Sequence, residues 1–124
     1  MTEGAVKASK FFLLSLDLPQ IPLFKEQHML ATLQQVPLMD LFRKYNGKEE
    51  DKGKRYRVIR LPQFLILHVR RFTKNEFFDE KNPTIVNFPI KNLDLTDLVG
   101  EPAHYDLTAN VVHEGKPEGG TYRV

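Results

Sequence analysis

Side chains able to do chemistry are few in this sequence, and their types narrow what it can be. It contains no cysteine, which excludes a thiol nucleophile, a disulfide and a thiolate zinc site within the chain. Its four histidines are His28, His68, His104 and His113. His113 closes an alternating stretch and is followed by Glu114-Gly115-Lys116-Pro117-Glu118-Gly119-Gly120, then Thr121 and Tyr122. An imidazole takes and returns a proton near neutral pH, whereas the hydroxyl of Thr121 cannot act as such a base. His68 sits in an apolar run and reads as a hydrogen-bonded core histidine rather than a ligand.

The elements that must position these residues follow from periodicity. Tyr105, Leu107, Ala109, Val111 and His113 alternate with Asp106, Thr108 and Asn110, the period of a half-buried strand. The turn-rich stretch 114–120 then leads into a second strand, with Gly119 and Gly120 suited to positive φ or to close approach of another backbone. Earlier, Phe12, Leu14, Leu16 and Leu18 share one face of a strand over Lys10 to Leu18, with Phe11 and Leu13 on the other. Lys25 to His28 reads as an exposed loop, and Met29 to Val36 as extended because Pro37 disfavours helix before it. Leu38, Leu41, Phe42 and Tyr45 form one helical stripe over Pro37 to Tyr45, with Gly47 as a left-handed stop.

Lys48 to Arg57 is a charged run that reads as a solvated loop. Its cluster Lys52, Lys54, Arg55 and Arg57 could meet either an acidic partner or RNA phosphate. Phe64 to Leu67 is a continuous apolar run, which predicts a central strand buried on both faces, with Pro62 at its entrance. Thr84 to Phe88 is a further strand, and Asp94 to Leu98 a short helical turn that Asp94 can cap.

Composition sets wider bounds. Hydrophobic residues make up 41% of 124, enough for a core, and the net charge of +2 is too small to argue for nucleic-acid binding by bulk electrostatics. No apolar window reaches the length of a membrane span, and the start lacks a signal-peptide core.

Three groups of residues carry a family resemblance. Val111-Val112-His113-Glu114-Gly115 with the Gly-containing turn resembles the histidine box of the ubiquitin-specific proteases. Leu61-Pro62 leading to Arg71-Phe72 resembles their L-P-x-x-L…R-F element, and Asn87-Phe88-Pro89 followed by Leu93-Asp94-Leu95 resembles their next strand and turn. The resemblance implies an α+β fold: the C-terminal part of a papain-like domain, with palm and finger antiparallel sheet and a short helix. It implies residues 10–124 as a partial domain truncated at both ends, after a disordered or artificially added start over 1–9. It places Thr121 where the family carries its general base, and Gly119, Gly120 and Tyr122 along the channel for the ubiquitin tail. The zinc-binding Cys-x-x-Cys pairs of many family fingers are missing, so neither metal nor cofactor is expected.

KASKFFLLSLDLP, RRFTKNEFFDEKNPTIVNFPI and YDLTANVVHEGKPEGGTYR resemble most the catalytically degenerate branch of the family that works in the spliceosomal tri-snRNP. That branch implies a nuclear, non-catalytic scaffold for tri-snRNP assembly and pre-mRNA splicing. Its partners would be tri-snRNP proteins, with ubiquitin or a ubiquitin-like protein as a further partner and direct RNA contact left open. The alternative is an active deubiquitinase with its nucleophile outside this chain and His113 as its base. The family pattern has a separate histidine at the position of His113, which favours a packing role for it.

Overall fold

A computed structural model describes residues 4–20, 34–74, 77 and 79–124. The expected loop Lys25 to His28 and most of the extended stretch from Met29 lie outside these residues. Residues 4–10 form no regular element and are exposed.

The core is built where two parallel ladders meet a short helix. Strand β1 (Leu13–Asp17) pairs with β5 (Ile66–Arg70) in parallel, Leu14 opposite Leu67 and Leu16 opposite Val69. Strand β2 (Gln35–Pro37) pairs in parallel with β8 (Ile85–Asn87). Helix α1 (Leu38–Leu41) follows β2 directly and tightens into a 3-10 turn over Phe42–Tyr45. Leu14, Leu16, Val36, Leu38, Leu41, Phe42, Val58, Leu93 and Leu95 form one buried cluster. Burying each such side chain contributes roughly 1.5–3 kcal/mol.

The helical stripe is as the spacing predicts, with Leu38, Leu41 and Phe42 buried and Tyr45 packed against the cluster. The Tyr45 hydroxyl donates to the Ser15 carbonyl at 2.6 Å, tying the helix end to β1. Lys44 bonds Asp17 at 2.9 Å beside it.

The α+β class holds, while several expected details differ. The antiparallel pairing is present as four two-stranded ladders, but both core ladders are parallel. The run Phe64 to Leu67 is not buried on both faces: Phe64 is 78% and Ile66 50% exposed. Among the described residues β5 has one neighbour and the cluster covers one face, so of this run Leu65 and Leu67 pack against it. His68 falls on the opposite side of that alternation and is exposed, not a core histidine. Phe12, expected to share the inner face of β1, is 72% exposed because it precedes the paired strand.

The charged run is a hairpin rather than a loop. Strands β3 (Asn46–Asp51) and β4 (Lys54–Arg57) pair with Asp51 opposite Lys54. Both loop residues, Lys52 at φ 51° and Gly53 at φ 77°, are left-handed, as a two-residue type I′ turn requires. The Asn46 side chain accepts from the amides of Lys48 and Glu49 at its base. No apolar alternation announces these strands, because neither face is buried.

A polar knot ties the ladders together. The Arg71 guanidinium donates to the carbonyls of Asn82 at 3.1 Å and Thr84 at 2.5 Å. The Asn82 side chain donates to the Pro19 carbonyl and accepts from the Thr84 amide and hydroxyl. Thr84 is fully buried, yet its hydroxyl and amide are both satisfied here.

Strand β9 (Leu93–Asp94) pairs with β10 (His104–Tyr105), and helix α2 (Thr96–Val99) lies between them. The helix starts at Thr96 with Leu95, not the expected Asp94, at its N-cap position; Asp94, one residue earlier, accepts from the Thr96 amide at 2.9 Å. Hydrogen bonding from Thr96, first through its side chain, holds the Asp94 carboxyl below its usual range. That support is complete above the ordinary carboxylate pKa and is lost as pH falls through the depressed one.

Leu16→Ala in the full-length protein should cost about 2–5 kcal/mol in urea unfolding, since it empties a fully buried position. Ile59→Ala, at a position 76% exposed, should stay within about 0.5 kcal/mol. Equal losses from both would show that this cluster is not the core.

Candidate functional site

The turn-rich C-terminal stretch forms a hairpin tighter than its composition suggests. Strand β11 (Val112–Lys116) pairs antiparallel with β12 (Gly119–Arg123), leaving Pro117 and Glu118 as the connection. The expected long strand from Tyr105 to His113 is not continuous: it is β10, then an unpaired stretch, then β11. A strand needs a ladder, and the bond from the Leu107 amide to the Ile90 carbonyl at 2.8 Å is not continued into one. Leu107 and Val111 are accordingly 42% and 64% exposed.

The hairpin register sorts the candidate residues by face. His113 stands opposite Tyr122 and Gly115 opposite Gly120, while Glu114 stands opposite Thr121 and Lys116 opposite Gly119. Paired residues in an antiparallel ladder share a face and neighbours along a strand alternate. Gly120 and Tyr122 are therefore together with His113 on one face, and Gly119 and Thr121 lie on the other. Glu114 and Arg123 form an exposed ion pair on the Thr121 side.

The His113 face is packed. Its ring lies 4.8 Å from the Tyr122 ring centroid and 5.1 Å, edge to face, from Phe72. Its Nδ1 is buried without a hydrogen-bond partner. A Cβ on Gly120 would come within 2.5 Å of both His113 Nε2 and the Glu114 carbonyl oxygen. The close approach anticipated for the glycine pair is thus real at Gly120. At Gly119 a Cβ would meet nothing within 4 Å, and neither glycine has positive φ. The left-handed residue of this hairpin is Gly115, at φ 117°.

Phe72 belongs to β6 (Phe72–Lys74), which pairs with β7 (Asp79–Lys81). The last residue of β7, Lys81, donates through Nζ to the carbonyls of His113 at 3.2 Å and Gly115 at 3.3 Å. One hairpin thereby clamps the other, by a ring contact on one strand and an ammonium on the next. Sequence reading missed Lys81: it sits in a lysine-containing connection, and nothing there marks one lysine as aimed at a distant carbonyl pair.

Thr121 is exposed on β12 and opposes Glu114, with no imidazole on its face of the hairpin. Beyond this hairpin, His104 Nδ1 meets Asn92 Oδ1 at 2.8 Å, and His68 is exposed on β5. No group of three His, Cys, Asp or Glu able to hold a metal occurs among the described residues.

Residues 11–124 match the family described as ubiquitin carboxyl-terminal hydrolase, and the chain belongs to it. It is 45% identical over 131 aligned residues to human Ubiquitin carboxyl-terminal hydrolase 39, covering 94% of this chain and 23% of that protein. It is 34% identical to ubp10 of Schizosaccharomyces pombe, named a probable mRNA-splicing protein, across 84% of the chain and 23% of the relative. It is also 33% identical to Pre-mRNA-splicing factor SAD1 of Saccharomyces cerevisiae, across 89% of the chain and 24% of the relative. The chain spans about a quarter of the length of these relatives.

Gly120→Ala should destabilise the β11–β12 hairpin by about 1–3 kcal/mol, because a backbone oxygen must move to admit the methyl group. Gly119→Ala, facing open space, should change stability by less than about 0.5 kcal/mol. Amide hydrogen exchange across 112–123 in the full-length protein reads the difference, and faster exchange in the Gly119 variant alone would contradict the register.

Proposed function

We propose that this chain is part of a ubiquitin-specific-protease-like scaffold that breaks no bond and serves tri-snRNP assembly and pre-mRNA splicing in the nucleus. The observation that carries the reading is Thr121. Where the family resemblance calls for a general base, the chain offers a hydroxyl that cannot take a proton from a thiol near neutral pH. The nearest imidazole does not substitute for it: His113 is held between Phe72 and Tyr122 on the opposite face of the hairpin. Loss of a triad member removes several orders of magnitude of rate. Two relatives named for pre-mRNA splicing support the cellular role.

In this reading the protein works through shape. Gly119, Gly120 and Tyr122 border a former channel for a ubiquitin tail, and its partners are tri-snRNP proteins with ubiquitin or a ubiquitin-like protein as a further ligand. Gly119 lies across the hairpin from Gly120 and Tyr122, so an extended tail would have to run along the β12 edge to reach all three.

The full-length parent, given ubiquitin with a fluorogenic C-terminal leaving group, should show turnover no faster than background. Affinity purification of the tagged parent from nuclear extract should recover the tri-snRNP small nuclear RNAs. Turnover that disappears in His113→Ala would overturn the scaffold reading, as would recovery of ubiquitin conjugates without those RNAs.

A further inference from the structure

The exposed hairpin β3–β4 and its flanks carry a charge that the rest of the chain does not. Residues 43–60 hold eight Lys and Arg against three Asp and Glu, net +5, while the other residues hold ten against thirteen, net −3. The modest whole-chain charge of +2 therefore conceals a strong local asymmetry. Every residue from Lys48 to Arg57 is exposed, and the hairpin is anchored at its base by the bond from the Val58 amide to the Tyr45 carbonyl.

Ion pairing does not cancel this charge. Arg43 pairs with Asp40 at 3.5 Å, Lys44 with Asp17 at 2.9 Å and Arg55 with Glu50 at 3.8 Å. Lys48, Lys52, Lys54, Arg57 and Arg60 have no ion-pair partner among the described residues. Of the three acids, Glu50 is matched by Arg55, and Asp51 stands opposite Lys54 in the ladder. An aromatic platform adjoins them. Tyr56 shares its face of β4 with Lys54, while Arg55 and Arg57 alternate onto the other; it is 39% exposed and meets Tyr45 edge to face at 6.2 Å. The Lys44 ammonium is 5.7 Å from both ring centroids.

We propose that this hairpin is a single-stranded RNA-binding surface: the Tyr56 ring receives a base beside Lys54 on its own face, and the phosphates follow the hairpin edge past Lys52 to Arg57 and Arg60. Interleaved cations and an exposed ring are what a single-stranded nucleic acid requires, since phosphates supply affinity and every base has a face to stack. An acidic protein segment would use the cations and leave the ring without a role. The proposal deepens the scaffold reading by naming a partner class, and rests on it only for which RNA is bound in the cell.

The test uses the full-length parent and a labelled single-stranded oligouridine, followed by fluorescence anisotropy over a range of salt. The variant Lys52→Gln, Lys54→Gln, Arg57→Gln should bind about tenfold or more weakly. Its plot of log affinity against log salt should be shallower by about 2, at roughly 0.7 for each phosphate no longer neutralised. Glutamine at 57 keeps the carbon stem that lies over Gly47, so the thermal midpoint should be unchanged. Lys7→Gln, Lys10→Gln, Lys91→Gln removes three exposed charges elsewhere and should bind as the parent does. Equal loss in both variants would overturn the proposal, as would competition by polyglutamate as effective as unlabelled oligouridine. If the hairpin variant binds RNA normally while the tagged parent still recovers tri-snRNP RNAs, the hairpin proposal fails and the scaffold reading stands. If the variant loses RNA but the parent recovers no such RNAs, the scaffold reading fails and the hairpin surface stands.

Discussion

The arrangement depends most on the guanidinium of Arg71. A half-buried cation is tolerable only when its donors are used, and burial pushes the Arg71 pKa down from its ordinary value. Two carbonyls, of Asn82 and Thr84, take up donors from one nitrogen. The Asn82 amide in turn donates to the Arg71 carbonyl at 2.7 Å. This pair closes the base of the β6–β7 hairpin. The residue after Arg71 is Phe72 and the residue before Asn82 is Lys81, the two that grip β11. Precision at the C-terminal hairpin is therefore set by a polar knot one residue away from each contact. Because Asn82 also reaches the Pro19 carbonyl, the same knot fixes where the chain leaves β1.

This knot explains which parts of the fold could be read in advance. The stripe Leu38, Leu41, Phe42, Tyr45 was legible because one local period buries all four against one core. The local bond of Asp94 was legible for the same reason, because its partner Thr96 is two residues away, although the N-cap position itself is Leu95. Arg71, Asn82 and Lys81 reach partners 11 to 63 positions away, and no local pattern records such a distance. The failures at Phe64 and His68 have a different origin. An apolar run predicts burial only if something lies on both faces of its strand, and composition does not say how many layers a sheet will have.

The β3–β4 hairpin shows the converse case. Its strands hold no apolar alternation, so a period-based reading has nothing to detect, yet the ladder forms. Two local devices account for it. The Asn46 side chain closes a turn onto the amides of Lys48 and Glu49, and Lys52-Gly53 takes the left-handed pair that matches strand twist. A hairpin specified by its turns alone leaves its side chains uncommitted to a core. Those side chains are then available to carry charge, which is where the chain concentrates it.

The same reasoning bears on the glycine at 120. A glycine beside the position proposed for a lost base invites the conclusion that it is kept for a substrate backbone. Here the space its Cβ would fill is already taken, by the Glu114 carbonyl and by the ring of His113. Glycine at 120 is required by the hairpin whether or not a ubiquitin tail ever lies along it. His113 is explained in parallel: an edge-to-face contact with Phe72, with Nδ1 enclosed, is a packing role. Neither residue needs chemistry to account for it. In the proposed reading the position that matters is 121, and there the hairpin packing imposes little, because Thr121 is exposed beside the Glu114–Arg123 pair. If the family's base belongs at 121, as proposed, its replacement by the threonine here carries little structural cost, because an exposed strand position commits no side chain to the core.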